Sequence, residues 1–133
     1  MATTKPRQRE FAALYCFLMS LFSDDRQIRA ANDAELRQLI FANAHVLVKF
    51  VDDDCLICKA LAPKMDALAL DARFAHVLFL RIDAGESPVA AQEVGFTRAP
   101  FIVAYRDARL AHCETVFTEK RVEDILLKCL PLE

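Results

Sequence analysis

The chain has 133 residues, 55% of them hydrophobic, with 17 Lys and Arg against 19 Asp and Glu, five Cys, two Gly and no Trp. A chain of this length buries about two-thirds of its unfolded surface, enough for one apolar core, which excludes a disulfide-stapled mini-protein; the composition also excludes collagen, disordered and coiled-coil chains. The formal charge of −2 gives no general attraction to nucleic acid or to an anionic membrane, and no nucleic-acid partner is expected.

At the N-terminus, Lys5, Arg7 and Arg9 precede the apolar run Phe11 to Phe22, which Ser23-Asp24-Asp25 ends abruptly. The order of charge and apolar residues resembles an export signal, but no small-residue cleavage site follows, and the run is too short to span a bilayer as a helix. Residues 1–25 are therefore expected to be a helical extension, with residues 8–22 packing on the domain or forming a homodimer with a second copy. The alternatives are an exported or membrane-associated chain and a frayed end.

Residues 26–133 read as one unit, since no repeat or Pro/Gly/Ser-rich linker divides them. A short strand is expected near Gln27 to Ala30. Asn32 with Glu35 three residues later forms a capping box, and Leu36, Leu39 and Ile40 at helical spacing predict a helix to about Asn43. His45 to Val51 is nearly all apolar, as in a strand covered on both faces, with Lys49 breaking the run. Leu61, Met65, Leu68 and Ala69 predict a helix from Leu56 to about Arg73, kinked at Pro63. A buried strand follows at Val77 to Ile82. Ser87-Pro88 reads as an N-cap and first helical residue, opening a short helix that ends near Gly95. Phe101 to Tyr105 and Leu110 to Val116, joined by Arg106-Asp107-Ala108, form a hairpin. Thr118 caps a last helix whose Val122, Ile125, Leu126, Cys129 and Leu130 lie on one face. The sum is an α/β fold with a helix-covered mixed sheet.

The chemistry concentrates in Asp54-Cys55-Leu56-Ile57-Cys58-Lys59. It places C-x-x-C between a buried strand and a helix, so Cys55 falls at a helix N-terminus, where unpaired N–H groups and the helix dipole favour a thiolate. Cys58, one turn on, is placed to resolve a mixed disulfide. Two cysteines at this spacing also serve as half of a zinc site, or lie buried without chemistry. Zinc would need two more ligands from His45, His76, His112, Cys113, Cys16 and Cys129, which contain no second short-spaced pair, so no metal is expected. Cys16, Cys113 and Cys129 sit in apolar patterns and read as packing residues. An odd cysteine count with one close pair fits a reducing, cytoplasmic compartment.

Over roughly residues 26–130 the chain resembles the thioredoxin family: Cys55-x-x-Cys58-Lys59, Ala62-Pro63, Ile82-Asp83, and Ala99-Pro100 before Phe101, with the prolyl bond 42 residues after Cys58. The resemblance implies a three-layer α/β/α fold and thiol–disulfide exchange with a protein disulfide or dithiol substrate, without a cofactor. A reductase or oxidase would recycle the pair. It further implies a cis Pro100 beside the cysteines, leaving the backbone of Ala99 free to pair with an extended substrate.

Five positions depart from the family pattern: Asp54 where Trp is usual, Leu56-Ile57 for Gly-Pro, Lys49 for a buried acidic residue, and Val116 where a glycine allows close approach. Asp52, Asp53 and Asp54 read as a solvated loop that raises the Cys55 pKa. Lys49 reads either as a strand-edge lysine snorkelling to water or, with Asp54 and Lys59, as a group tuning the thiols, with Asp52 to Asp54 and the thiolates its nearest negative neighbours in sequence. The departures leave open a redox-silent protein-binding module, possibly dimerising through residues 8–22.

Overall fold

The computed structural model describes residues 28–132, so the expected extension at residues 8–22, with Cys16, lies outside the described residues. The elements in chain order are β1 (Ile28–Ala31), α1 (Asp33–Ala42), β2 (His45–Val51), α2 (Leu56–Leu70), a 3₁₀ turn (Ala72–Phe74), β3 (Leu78–Asp83), α3 (Pro88–Glu93), β4 (Phe101–Arg106), β5 (Arg109–Thr115) and α4 (Glu119–Cys129). The strands form one five-stranded sheet in the order β1-β3-β2-β4-β5. β1 and β2 run parallel to β3, while β4 is antiparallel to both β2 and β5.

Two apolar layers follow from the alternation of side chains along the strands. On one face Leu47, Phe79, Ile102 and Ala104 pack under Leu61, Met65 and Leu68 of α2 and Val122, Ile125 and Leu126 of α4. On the other, Val46, Val48, Phe50, Leu80, Ile82 and Val103 pack under Leu36 and Ile40 of α1 and Ala90 and Ala91 of α3. This is the three-layer α/β/α arrangement expected from the sequence. Cys113 and Cys129 are partly buried against these layers.

The helix starts and stops have local causes. The Asn32 side chain accepts the Glu35 N–H at 3.1 Å, and Thr118 accepts that of Arg121 at 3.3 Å. Gly95, at φ 70°, follows α3 in the left-handed region. Helix α2 runs continuously through Pro63 and stops at Leu70, short of the expected Arg73, because the Asp71 carboxylate caps the following 3₁₀ turn.

One cap differs from expectation. Ser87 is buried but makes no side-chain bond to α3. Instead the carboxylate of Asp33, in the first turn of α1, accepts the N–H groups of Ala90 at 2.8 Å and Val89 at 3.3 Å. The orphan donors of a helix start are met by whichever acceptor is nearest in space.

Strand β5 is held to α4 by Glu114, which accepts two bonds of 2.6 Å from the Arg121 guanidinium, and His112 lies 2.7 Å from it. Bonding to Arg121 pulls the Glu114 carboxyl down to about 2, and His112 adds to this. A depressed carboxylate stabilises the fold above its unfolded pKa, and that stabilisation is lost as pH falls through the folded one. Acid titration of stability should therefore show a loss between about pH 4 and 2 that is diminished in Glu114→Gln, measured by denaturant unfolding at each pH. In the same assay Phe50→Ala, at a fully buried position of the central strand, should lose about 3–5 kcal/mol.

Candidate active site

Strand β2 is the centre of the sheet and ends at Val51, opposite Asp83 of the parallel β3. The two strands leave the sheet at the same edge, where the Ala84 N–H donates to the Val51 carbonyl at 2.8 Å and ties their loops together. On the other side of β2, Phe50 faces Phe101, so Ala99-Pro100 reaches the same edge from β4. Three loops thus converge at one end of the sheet.

In the first loop Asp52 accepts the Asp53 N–H at 2.8 Å, and Asp54 takes a left-handed conformation at φ 62°. Aspartate is among the few non-glycine residues that tolerate this region. The reversal delivers Cys55 to the N-cap of α2, where its Sγ accepts the Cys58 N–H at 3.0 Å. The same N–H that caps the helix is available to a thiolate.

Cys55 and Cys58 are disulfide-bonded, with Cα atoms 5.2 Å apart. Cys55 is partly exposed, whereas Cys58 is only 7% exposed. Between them Leu56 is 77% and Ile57 40% exposed. The pair therefore has one sulfur open to the surface and one beneath it.

The Ala99–Pro100 peptide bond is cis, and both residues are buried. The Pro100 carbonyl accepts the Val116 N–H at 2.9 Å and the Arg98 carbonyl accepts the Thr115 hydroxyl at 3.0 Å, so the segment is moored to β5 on both sides of Ala99. Ala99 itself makes no backbone hydrogen bond among the described residues. Val116 is buried behind this segment.

Lys49 is 4% exposed on the central strand and is not an edge lysine. Alternation with Leu47 and the cross-strand partner Ile102 put it on the face covered by α2. Burial pushes its ammonium below the ordinary lysine value; the carboxylate of Asp66 opposes this and Arg81 adds to it. Asp66, in α2, is thus the carboxylate that acts on Lys49, in place of the expected Asp52 to Asp54. Asp66 is exposed and 17 residues away in the chain, so sequence distance carries no hint of its influence. Lys59 and Asp54 are exposed on either side of the disulfide.

Other candidate residues lie elsewhere. His112 pairs with Glu114, while Cys113 faces the opposite layer. His45 and His76 stack edge to face at 5.0 Å, and His45, which begins β2, lies at the end of the sheet away from the disulfide. No group of three or more His, Cys, Asp or Glu side chains among the described residues could hold a metal ion. Exposed Leu56 and Ile57 are neighbours of the disulfide that composition alone would have assigned to a core.

Comparison with known proteins places these features. A family model for thioredoxin matches residues 27–128. The thioredoxin of Mycoplasmoides gallisepticum is 29% identical over 97 residues, covering 73% of this chain and 95% of that protein. The protein disulfide-isomerase of Gallus gallus is 28% identical over 127 residues, covering 90% of this chain but only 25% of the isomerase. Among solved structures, oxidised mitochondrial thioredoxin 3 of Saccharomyces cerevisiae is similar with a TM-score of 0.69 at 27% identity, covering 77% of this chain and 95% of that one. A mutant thioredoxin of Halobacterium salinarum gives a TM-score of 0.70 at 22% identity, covering 80% and 93%. The disulfide and these similarities together support thiol–disulfide oxidoreductase activity. Since the match takes in every strand of the sheet and the Cys55–Cys58 pair, the chain belongs to the thioredoxin family.

Proposed function

We propose that the chain exchanges disulfides with protein substrates, with Cys55 as the attacking thiolate and Cys58 as the resolving one. The observation that carries this reading is the asymmetry of the bonded pair: Cys55 at the helix start reaches the surface, while Cys58 lies beneath it.

In the reducing direction the Cys55 thiolate attacks one sulfur of a substrate disulfide. A Cys55–substrate bond forms, and the second substrate sulfur leaves as a thiolate that takes up a proton. The Cys58 thiolate then attacks the Cys55 sulfur, closing the disulfide seen here and releasing the first substrate sulfur, which is protonated in turn. Two electrons pass to the substrate, so a dithiol reductase must restore the pair; with a recycling oxidase the same steps run in reverse. None of them needs a cofactor.

Ala99 and Pro100 support the binding half of this reading. An extended substrate strand could take the unused N–H and C=O of Ala99, held in place by the bonds at Arg98 and Pro100. Lys49, Asp54 and Lys59 tune the thiols: the two ammonium groups favour a thiolate and the carboxylate opposes it. Among the described residues no helix is long and apolar enough to cross a membrane. A cytoplasmic location and a homodimer through residues 8–22 remain part of the same proposal.

Replacing Cys55 by Ser should abolish reduction of a protein disulfide, whereas Cys58→Ser should accumulate a mixed disulfide with substrate, detected by intact mass. Turnover surviving in Cys55→Ser would remove Cys55 from the attacking role, and no turnover in the unaltered chain would assign it to the binding-module reading. Lys49→Met keeps length and removes charge, so it should raise the pKa of the more acidic thiol by roughly one and slow exchange at neutral pH. It should also raise Tm, because a buried charge gives way to an apolar group. A raised Tm with an unchanged thiolate titration would leave Lys49 no part in the chemistry.

A further inference from the structure

The proposed exchange says nothing of which protein disulfides the site takes, but the surface around Cys55 is selective in charge. The loops tied together at Val51 and Ala84 carry Asp52, Asp53 and Asp54 on one and Asp83 and Glu86 on the other. None of these carboxylates makes an ion pair among the described residues. Their hydrogen bonds there are to backbone alone, Asp52 accepting the N–H of Asp53 and Asp83 those of Gly85 and Glu86. Several carboxylates elsewhere are paired: Asp71 and Glu123 share Arg73, Glu114 holds Arg121, and Asp124 meets Lys120. Unneutralised negative charge therefore gathers beside the one sulfur that a substrate must approach.

Two further features favour the passage of a polypeptide there. The backbone of Ala99 is unbonded on the β4 side of Cys55, and Leu56 and Ile57 stand exposed next to it. A segment lying along Ala99 with its cysteine over Cys55 continues toward the acidic loops on the β3 side, since β3 and β4 flank β2. The cations nearby are Lys59, on the first turn of α2, Arg98, preceding Ala99 on the β4 side, and Arg81, two residues before Asp83 on β3; all three are exposed, and Arg81 is outnumbered by the carboxylates of the two loops. The charge across the site is thus uneven, negative on one flank of Cys55.

Resting on the exchange reading above, we propose that the site selects protein substrates whose reactive cysteine lies in an extended segment with an apolar neighbour and Lys or Arg residues on the side facing Asp52, Asp53 and Glu86. The carboxylates steer such segments to Cys55 and disfavour acidic ones. The covalent steps are those already given, and the charges act on encounter and binding alone.

The test uses the full reduced chain and synthetic peptide disulfides of equal length, differing only in Lys or Glu beside the cysteine. A small uncharged disulfide reports on exchange itself. The Lys peptide should react with a kcat/KM on the order of tenfold above the Glu peptide at low ionic strength, and the ratio should shrink toward one as salt is raised past a Debye length of about 8 Å. In Asp52→Asn/Asp53→Asn the low-salt ratio should fall, whatever the absolute rates, because both peptides meet the same thiol. Equal rates for the two peptides at low salt, or a ratio unmoved by salt and by the double variant, would overturn the proposal. Failure to reduce even the uncharged disulfide would instead overturn the exchange reading on which it rests.

Discussion

Strand β2 is bonded to a neighbour along both edges and covered by helices on both faces, and this double enclosure decides where chemistry is possible. A strand so enclosed offers nothing to solvent except its ends. Because β3 is parallel to β2, the loops after both leave at one edge, and the segment before the antiparallel β4 arrives there as well. The helix that follows β2 must begin at this edge and run back over the sheet. Its first N–H groups are consequently held open toward solvent at a fixed point, and Cys55 occupies that point. The location of the disulfide is thus a result of strand order, and its polarity, one sulfur outward and one inward, comes from a single turn of helix.

What the sequence makes legible is governed by interactions that are local or periodic. The Asn32 and Thr118 caps involve residues three apart, and the apolar faces of α2 and α4 repeat at helical spacing, so each is visible in a short window. The Cys55–Cys58 pair is legible for the same reason. Contacts that depend on how elements dock are not. The α3 cap comes from Asp33, 56 and 57 residues before the N–H groups it receives, and nothing at Ser87 reveals that its hydroxyl will be displaced from the role. The environment of Lys49 is another such case: strand alternation gives its face, but the influence of Asp66 depends on how α2 docks over the sheet. Residues before Ile28 are a different matter, since an apolar run states that cover is needed without naming the surface that supplies it.

The departures from the usual thioredoxin pattern fall into two layers around the pair. Outside, Asp54 and Leu56-Ile57 are exposed beside the disulfide and leave the helix start intact. Inside, Lys49 places a basic group where a carboxylate is usual, and α2 answers with Asp66. A buried amine and a buried acid differ in more than sign: an ammonium has only donors to offer, whereas an ionised carboxylate can only accept. On the proposed reading the interior position bears on proton handling and the exterior ones on recognition, since Lys49 is buried while Asp54, Leu56 and Ile57 are exposed.

Asp33 gives the fold a constraint of another kind. One carboxylate stands in the first turn of α1 and also receives the N–H groups at the start of α3, so two helices that are far apart along the chain share an anchor. Ser87, the ordinary candidate for the second task, is buried and makes no side-chain cap bond. Positions 33 and 87 are therefore alternative sources of one cap. If the acid at 33 is lost, the start of α3 depends on the Ser87 hydroxyl turning to the cap, so a substitution at either position changes what is asked of the other.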